Sequence, residues 1–210
     1  SDIRETDPQF PFYALLSAAG DRWSVQYGRS RIGWGLGHSG SLLLSDHVDY
    51  HDYLMASVFG HIAGYRALYL DLEPWLTTST TEPERAYFAH RIELRPFSWL
   101  TMAANEAMVF NGKPLELRYL SPLMIMHSWF IPNYANTMIN LELSARPLSG
   151  LEIWGHLAID QLQSAIEEER GYTGQEPEAM GYMAGAEYVV PLEAMDGSWL
   201  TAGTEWVYTD

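Results

Sequence analysis

Ile92-Glu93-Leu94-Arg95-Pro96-Phe97-Ser98-Trp99-Leu100 runs an alternating strand into an Arg-Pro-x-Ser turn and straight back out. Leu141-Glu142-Leu143-Ser144-Ala145-Arg146-Pro147-Leu148-Ser149-Gly150-Leu151-Glu152-Ile153 repeats the arrangement. A looser copy ends at Val189-Val190-Pro191 and restarts at Ser198-Trp199. In each, apolar residues hold one face and Glu, Arg, Asn or Ser the other. Successive side chains of a strand point to opposite faces, so a period of two closed by a tight turn predicts a hairpin. Short turns at one end and long connections at the other predict an all-β, antiparallel up-and-down meander. That is the pattern of an outer-membrane-type β-barrel, or a fragment of one, with short helices in its loops.

The same reading extends along the chain. A first hairpin is expected over 11–17 and 22–28, across Ala19-Gly20-Asp21. Two strands follow between 53 and 72, then pairs at 86–95 and 98–110, 137–146 and 150–160, and 181–190 and 198–208. Residues 120–131 are read as a short helix, and 161–170 as another from the helical spacing of Leu162, Ala165 and Ile166. Residues 1–210 read as one barrel-type domain. The final Glu205-Trp206-Val207-Tyr208-Thr209-Asp210 stops inside a strand-and-turn pattern, which reads as a fragment of a longer protein.

The two faces differ in chemistry. Ile139, Leu141, Leu143 and Ala145 oppose Asn140, Glu142, Ser144 and Arg146. Leu151, Ile153, Leu157 and Ile159 oppose Glu152, Trp154, His156 and Asp160. Phe88, His90, Ile92 and Leu94 oppose Arg91, Glu93 and Arg95. A face wetted by bulk solvent favours Lys, Thr and Glu. This one is Arg, Glu, Asn and His, and of twelve basic residues only Lys113 is a lysine. Such a set suits a crowded, hydrogen-bonded barrel interior.

Bulk composition narrows the classes. A net charge of −15 argues against nucleic acid as a partner, because phosphate binding needs a dense Lys/Arg stripe. With no cysteine there is neither a disulfide framework nor a thiolate metal site. No apolar run has the length of a transmembrane helix; the longest, Leu120 to Ile131, is interrupted by Ser121, Pro122, His127 and Ser128. The glycine-dense Gly28–Gly40 lacks the Gly-Lys-Ser/Thr of a phosphate loop and fits a loop folded back inside a barrel. No cofactor is expected.

Several stretches resemble the capsule assembly protein (Wzi) family of outer-membrane barrels. They are Tyr27-Gly28-Arg29 through Trp34-Gly35-x-Gly37, Gly40-Ser41-Leu42-Leu43-Leu44-Ser45-Asp46, and Trp99 to Glu106. Glu116-Leu117-Arg118-Tyr119-Leu120-Ser121-Pro122-Leu123 and Asn136 leading to Trp154-Gly155 and Ile159-Asp160 are also similar. The resemblance covers most of 22–161. It implies an outer-membrane location, contact with outer-membrane lipid, a non-enzymatic role in attaching surface polysaccharide, and a monomer when full length. Family barrels are larger than 210 residues can build, so this chain would supply part of the strands. The family's helical bundle is not evident.

Sugars are bound by flat aromatic rings and by Arg, Asp, Glu or Asn. The glycan-binding candidates are therefore Arg29, Arg31, Trp34, Glu106, Arg118, Trp154 and Asp160; the plainer alternative is that Arg29, Glu106 and Arg118 form internal ion pairs that rigidify the interior and bind nothing. His47 and His51 are weak metal candidates in the Asp46–Asp52 stretch, where a solvated loop is the plainer reading. Glu167-Glu168-Glu169 forms an acidic run. No residue is assigned to catalysis. Two other readings stay open: a soluble all-β enzyme pairing carboxylates among Glu93, Glu142, Glu152 and Asp160, and a porin-like channel.

Overall fold

Every stretch of alternation that falls in residues 13–72, 85–111, 119, 121, 135–161, 179–192 and 197–210, which the computed structural model describes, forms a strand. The strands are β1 (Ala14–Gly20), β2 (Trp23–Ser30), β3 (His51–Phe59), β4 (Ala63–Leu72) and β5 (Arg85–Phe97). They continue as β6 (Leu100–Asn111), β7 (Ala135–Leu148), β8 (Leu151–Gln161), β9 (Ala179–Pro191) and β10 (Trp199–Thr209). All ten lie in one antiparallel sheet in sequence order, so each pairs with its chain neighbours. The sheet is open: β1 and β10 are its edges and do not meet. Apart from Ser121 and Gln161, the stretches expected to be helical lie outside the described residues, as does the acidic run.

The turns differ in detail from the sequence expectation. Arg95-Pro96 and Arg146-Pro147 are still within β5 and β7, and the chain reverses two residues later, at Ser98-Trp99 and Ser149-Gly150. Both prolines sit where the register slips, between Leu94 and Phe97 and between Ala145 and Leu148. Proline has no N–H to give a ladder, and a bulge leaves a residue unpaired, so the two coincide. The flanking arginines bond to a neighbouring hairpin turn instead: Arg95 N donates to Ile62 O, just before β4, at 2.6 Å, and Arg146 N to Trp99 O, just before β6, at 2.7 Å. The first hairpin likewise turns at Asp21-Arg22, because Gly20 still pairs with Trp23.

The faces separate as their alternation predicts, but with exposure inverted relative to a water-soluble sheet. On β7, Leu141 is 51% exposed and Leu143 44%, whereas Asn140 is 0% and Glu142 5% exposed. Register aligns these parities across the sheet. Ala104, Leu141 and Leu157 form one outward row, and Arg91, Asn105, Asn140 and Ala158 one inward row. The outward face of the hairpin half carries Ile92, Leu94, Met102 and Ile153 exposed, with no second layer over them among the described residues. Nearer the long connections, Phe88, Met108 and Phe110 are buried with Tyr119, whose ring lies 5.1 Å from Phe110. Exposed aromatics gather at the strand ends: Trp23, Phe97, Trp99 and Trp199 by the hairpins, and Tyr27, Trp206 and Tyr208 by the long connections.

Inside the sheet lies the main apolar cluster. Residues 31–50, joining β2 to β3, fold onto the inward face and bury Trp34 against Tyr53, Leu68, Leu70, Tyr87, Ala89 and Ala107. The glycine-rich segment is thus the inward-folded loop its composition suggests.

Candidate functional site

Alternation places Arg91, Glu93, Asn105, Asn140, Glu142 and His156 of β5 to β8 on one inward face, and cross-strand registry makes them touch. Arg91 Nε donates to Glu93 Oε2 at 3.1 Å, and its Nη1 donates to Asn105 Oδ1 at 3.3 Å and to Glu142 Oε2. Asn105 Nδ2 donates to Asn140 Oδ1 at 2.9 Å and to Glu142 Oε1 at 2.8 Å. Asn140 Nδ2 then donates to His156 Nδ1 at 3.1 Å. Arg95 closes the other end by donating to Glu93 Oε1. Asn105, Asn140, Glu142 and His156 are all buried, so the chain of bonds satisfies groups that would otherwise be costly to remove from water.

Part of what covers this network is the β2–β3 connection, which crosses the inward face as a strap. Trp34 N and O pair with Leu44 O and N at 2.9 and 3.3 Å, and Ser41 Oγ donates to Trp34 O at 2.5 Å. Within this loop Gly37 has φ +131, and a Cβ there would lie 1.9 Å from Gly40 O and 2.8 Å from Met183 Sδ. Only glycine fits such a position. The far end of the strap is anchored on β10. Glu205 accepts from His38 N at 2.9 Å, Ser39 N at 3.0 Å, the Ser39 hydroxyl and Trp154 Nε1 at 2.9 Å. The strap therefore ties β10 to β2–β3 across the open side of the sheet.

Alanine at Glu205 removes that shared acceptor. A charged acceptor contributes about 1.5–3 kcal/mol per hydrogen bond. Hydrogen exchange at the His38 and Ser39 amides is therefore expected to accelerate roughly tenfold or more. Unchanged protection at both amides contradicts the anchoring role.

The candidates named from sequence do not assemble into one site. Arg29 points to the outward face and is bound bidentately by Asp52, Nε to Oδ1 at 2.7 Å and Nη2 to Oδ2 at 2.6 Å, with Tyr50 under its guanidinium at 4.4 Å. Arg31 is exposed and pairs with Asp49 at 2.9 Å. Trp34, 3% exposed, is core. Glu106 lies on the outward face, where His90 Nε2 meets its Oε2 at 2.7 Å. Asp160 accepts from Asn136 Nδ2 at 3.0 Å. Arg118 lies outside the described residues.

Trp154 has both of its ring faces in use. His38 stacks on it at 4.3 Å and 12°, and a Cβ on Gly185 would come within 2.4 Å of the ring, so the indole lies flat on that glycine. A sugar needs an open aromatic face, which Trp154 offers only if His38 leaves. His47, exposed, accepts or donates with Ser45 Oγ at 2.5 Å, and His51 begins β3. Among the described residues no three metal-capable side chains come together.

The residues that do converge went unnamed as ligands in the sequence: Arg91, Asn105, Asn140 and His156 on the network, Arg66 beside it, and His38 and Glu205 at the strap. Shared parity on consecutive strands was the available signal for the first group. The strap contacts, separated by 166 and 167 residues, had none. The four carboxylates considered for glycoside hydrolysis are each engaged: Glu93 and Glu142 on Arg91, Glu152 on Ser144 and Arg146, and Asp160 on Asn136. The chain matches no protein-family model, no curated protein and no solved structure.

Proposed function

We propose that this chain is part of an outer-membrane β-barrel that holds surface polysaccharide at the cell envelope by reversible glycan binding, without performing chemistry on it. The observation that supports the location is the inverted exposure: leucines of β7 stand in the open while its asparagine and glutamate are buried. A folded protein in water arranges the reverse, whereas a barrel in lipid needs this pattern. Strand length agrees. At about 3.3 Å per residue and a tilt near 40°, strands of 11 to 14 residues such as β7 and β8 cover the roughly 25 Å apolar band. Exposed aromatics at both strand ends match the interfacial girdles of such barrels. The outward Arg29–Asp52 pair fits as well, since each charge there has an opposite partner.

The polysaccharide role rests on the resemblance to the capsule assembly family, supported by an inward face rich in sugar-compatible Arg, Asn and Glu. Two features weigh against the other readings. The strap lies across the inward face where a channel would need an opening, and the inward carboxylates are held by arginine or amide partners.

Dilution from detergent into plain buffer tests the location. Loss of monodispersity and of heat-modifiable gel mobility is expected; a chain that stays monodisperse and folded overturns the membrane reading. Incubation with capsular-type polysaccharides tests the activity. Binding with no change in polymer length is expected, whereas shortened polymer moves the assignment to the carboxylate enzyme.

A further inference from the structure

The chain is strongly acidic, yet three of its twelve basic residues line one depression on the inward face. Arg66, Arg91 and Arg95 line it together with Ser57, Gly64 and Glu93, and Val58, Phe59 and Tyr65 form the rest of its wall. Registry produces the cluster: Arg66 is the cross-strand partner of Arg91, and Ser57 that of Arg66. Arg91 is neutralised by Glu93 and Glu142, and Arg95 by Glu93. Arg66 is exposed and has no ion-pair or hydrogen-bond partner among the described residues; its guanidinium lies over the Trp34 ring, 5.9 Å from the ring centre. Arg91 and Arg95 repel it, and the nearby carboxylate, Glu93, already serves both of them. Three positive groups thus face two negative ones, and the excess charge belongs to Arg66, the one of the three without a carboxylate partner.

We propose that this depression binds the carboxylate of an acidic sugar residue through Arg66, so that the polysaccharide recognised is an acidic one. The proposal rests on the glycan-binding reading and specifies its ligand. A planar guanidinium grips a carboxylate with two parallel N–H donors, which suits Arg66 better than any point charge. The size fits: the cavity of about 40 Å³ admits roughly three atoms at about 10–15 Å³ each, the number in a carboxylate. Ser57 borders the same space and supplies a hydroxyl for hydrogen bonding to the sugar. Lipid phosphates are excluded as the source, because the depression opens on the face opposite the exposed leucines.

The experiment compares oligogalacturonate with its neutral methyl ester, by calorimetry on the detergent-solubilised protein. The acid form is expected to bind at least tenfold more tightly. Arg66→Gln is expected to abolish that preference without weakening the ester, and Arg66→Lys to keep part of it. Heat-modifiable mobility and the fluorescence of nearby Trp34 report whether the variants fold. If Arg66→Gln does not fold, competition on the unaltered protein by free galacturonate, with glucose as the neutral comparator, replaces it; displacement by the acid alone supports the site. Equal binding of acid and ester, or a preference that survives in Arg66→Gln, overturns the site and leaves glycan binding standing. Binding of neither form removes the glycan reading and this site together.

Discussion

Replacing Arg91 by alanine is expected to cost about 3–5 kcal/mol of stability, because it leaves a buried carboxylate without its counter-charge. The Glu142 side chain is almost fully buried, and Arg91 is the cation bonded to it. Asn105 and Glu93 lose a donor in the same step, and the Asn105–Asn140–His156 chain loses its charged end. Removing both charges at once is a different perturbation. Arg91→Met with Glu142→Met leaves no orphaned ion, so the double variant is expected to be much less destabilised than Arg91→Ala, whose cost it nearly cancels. Urea midpoints of the single and double variants, taken by heat-modifiable mobility in detergent, measure the coupling. A loss of under about 1 kcal/mol for Arg91→Ala shows that the network is wet rather than buried.

How far these interactions could be read in advance depends on their range along the chain. Strand identity and facing come from period-two patterning, which is local, so Leu141 and Leu143 against Asn140 and Glu142 were legible in the sequence, as were the paired runs around Arg95 and Arg146. The turns were displaced by two residues because Arg-Pro signals a reversal and a bulge equally well, and the arginine N–H groups found partners in neighbouring hairpin turns, at Ile62 and Trp99. The inward folding of the glycine-rich connection was legible from its composition, but its destination was not. Nothing near Glu205 announces that it accepts from His38 and Ser39, and nothing near Trp154 announces that His38 and Gly185 occupy its two faces. Site candidates were chosen by residue type, and residue type does not reveal a partner. Arg29 and Glu106 therefore turned out to be held by Asp52 and His90 on the outward face, while Arg66, left without a carboxylate, was passed over.

Leu141→Arg and Leu143→Arg are expected to have the second large effect, and together they decide what surrounds the outward face. Leu141 is the seventh residue of the 14 in β7 and stands between Ala104 and Leu157, so it sits midway along the strand. If lipid lies there, an arginine near the midplane costs about 2–4 kcal/mol, falling toward zero near the interfaces. Both residues are about half exposed, so in water the same substitutions change stability by roughly 0.5 kcal/mol or less. Val48→Arg is the control: Val48 is comparably exposed but lies in the β2–β3 connection, and it is expected to tolerate the charge in either solvent. Refolding into liposomes, scored by heat-modifiable mobility across a urea series, gives the comparison. A large loss at Leu141, a smaller one at Leu143 and none at Val48 is the ordering a bilayer imposes. Equal tolerance at all three positions means that water covers the leucines, and the membrane reading fails with it.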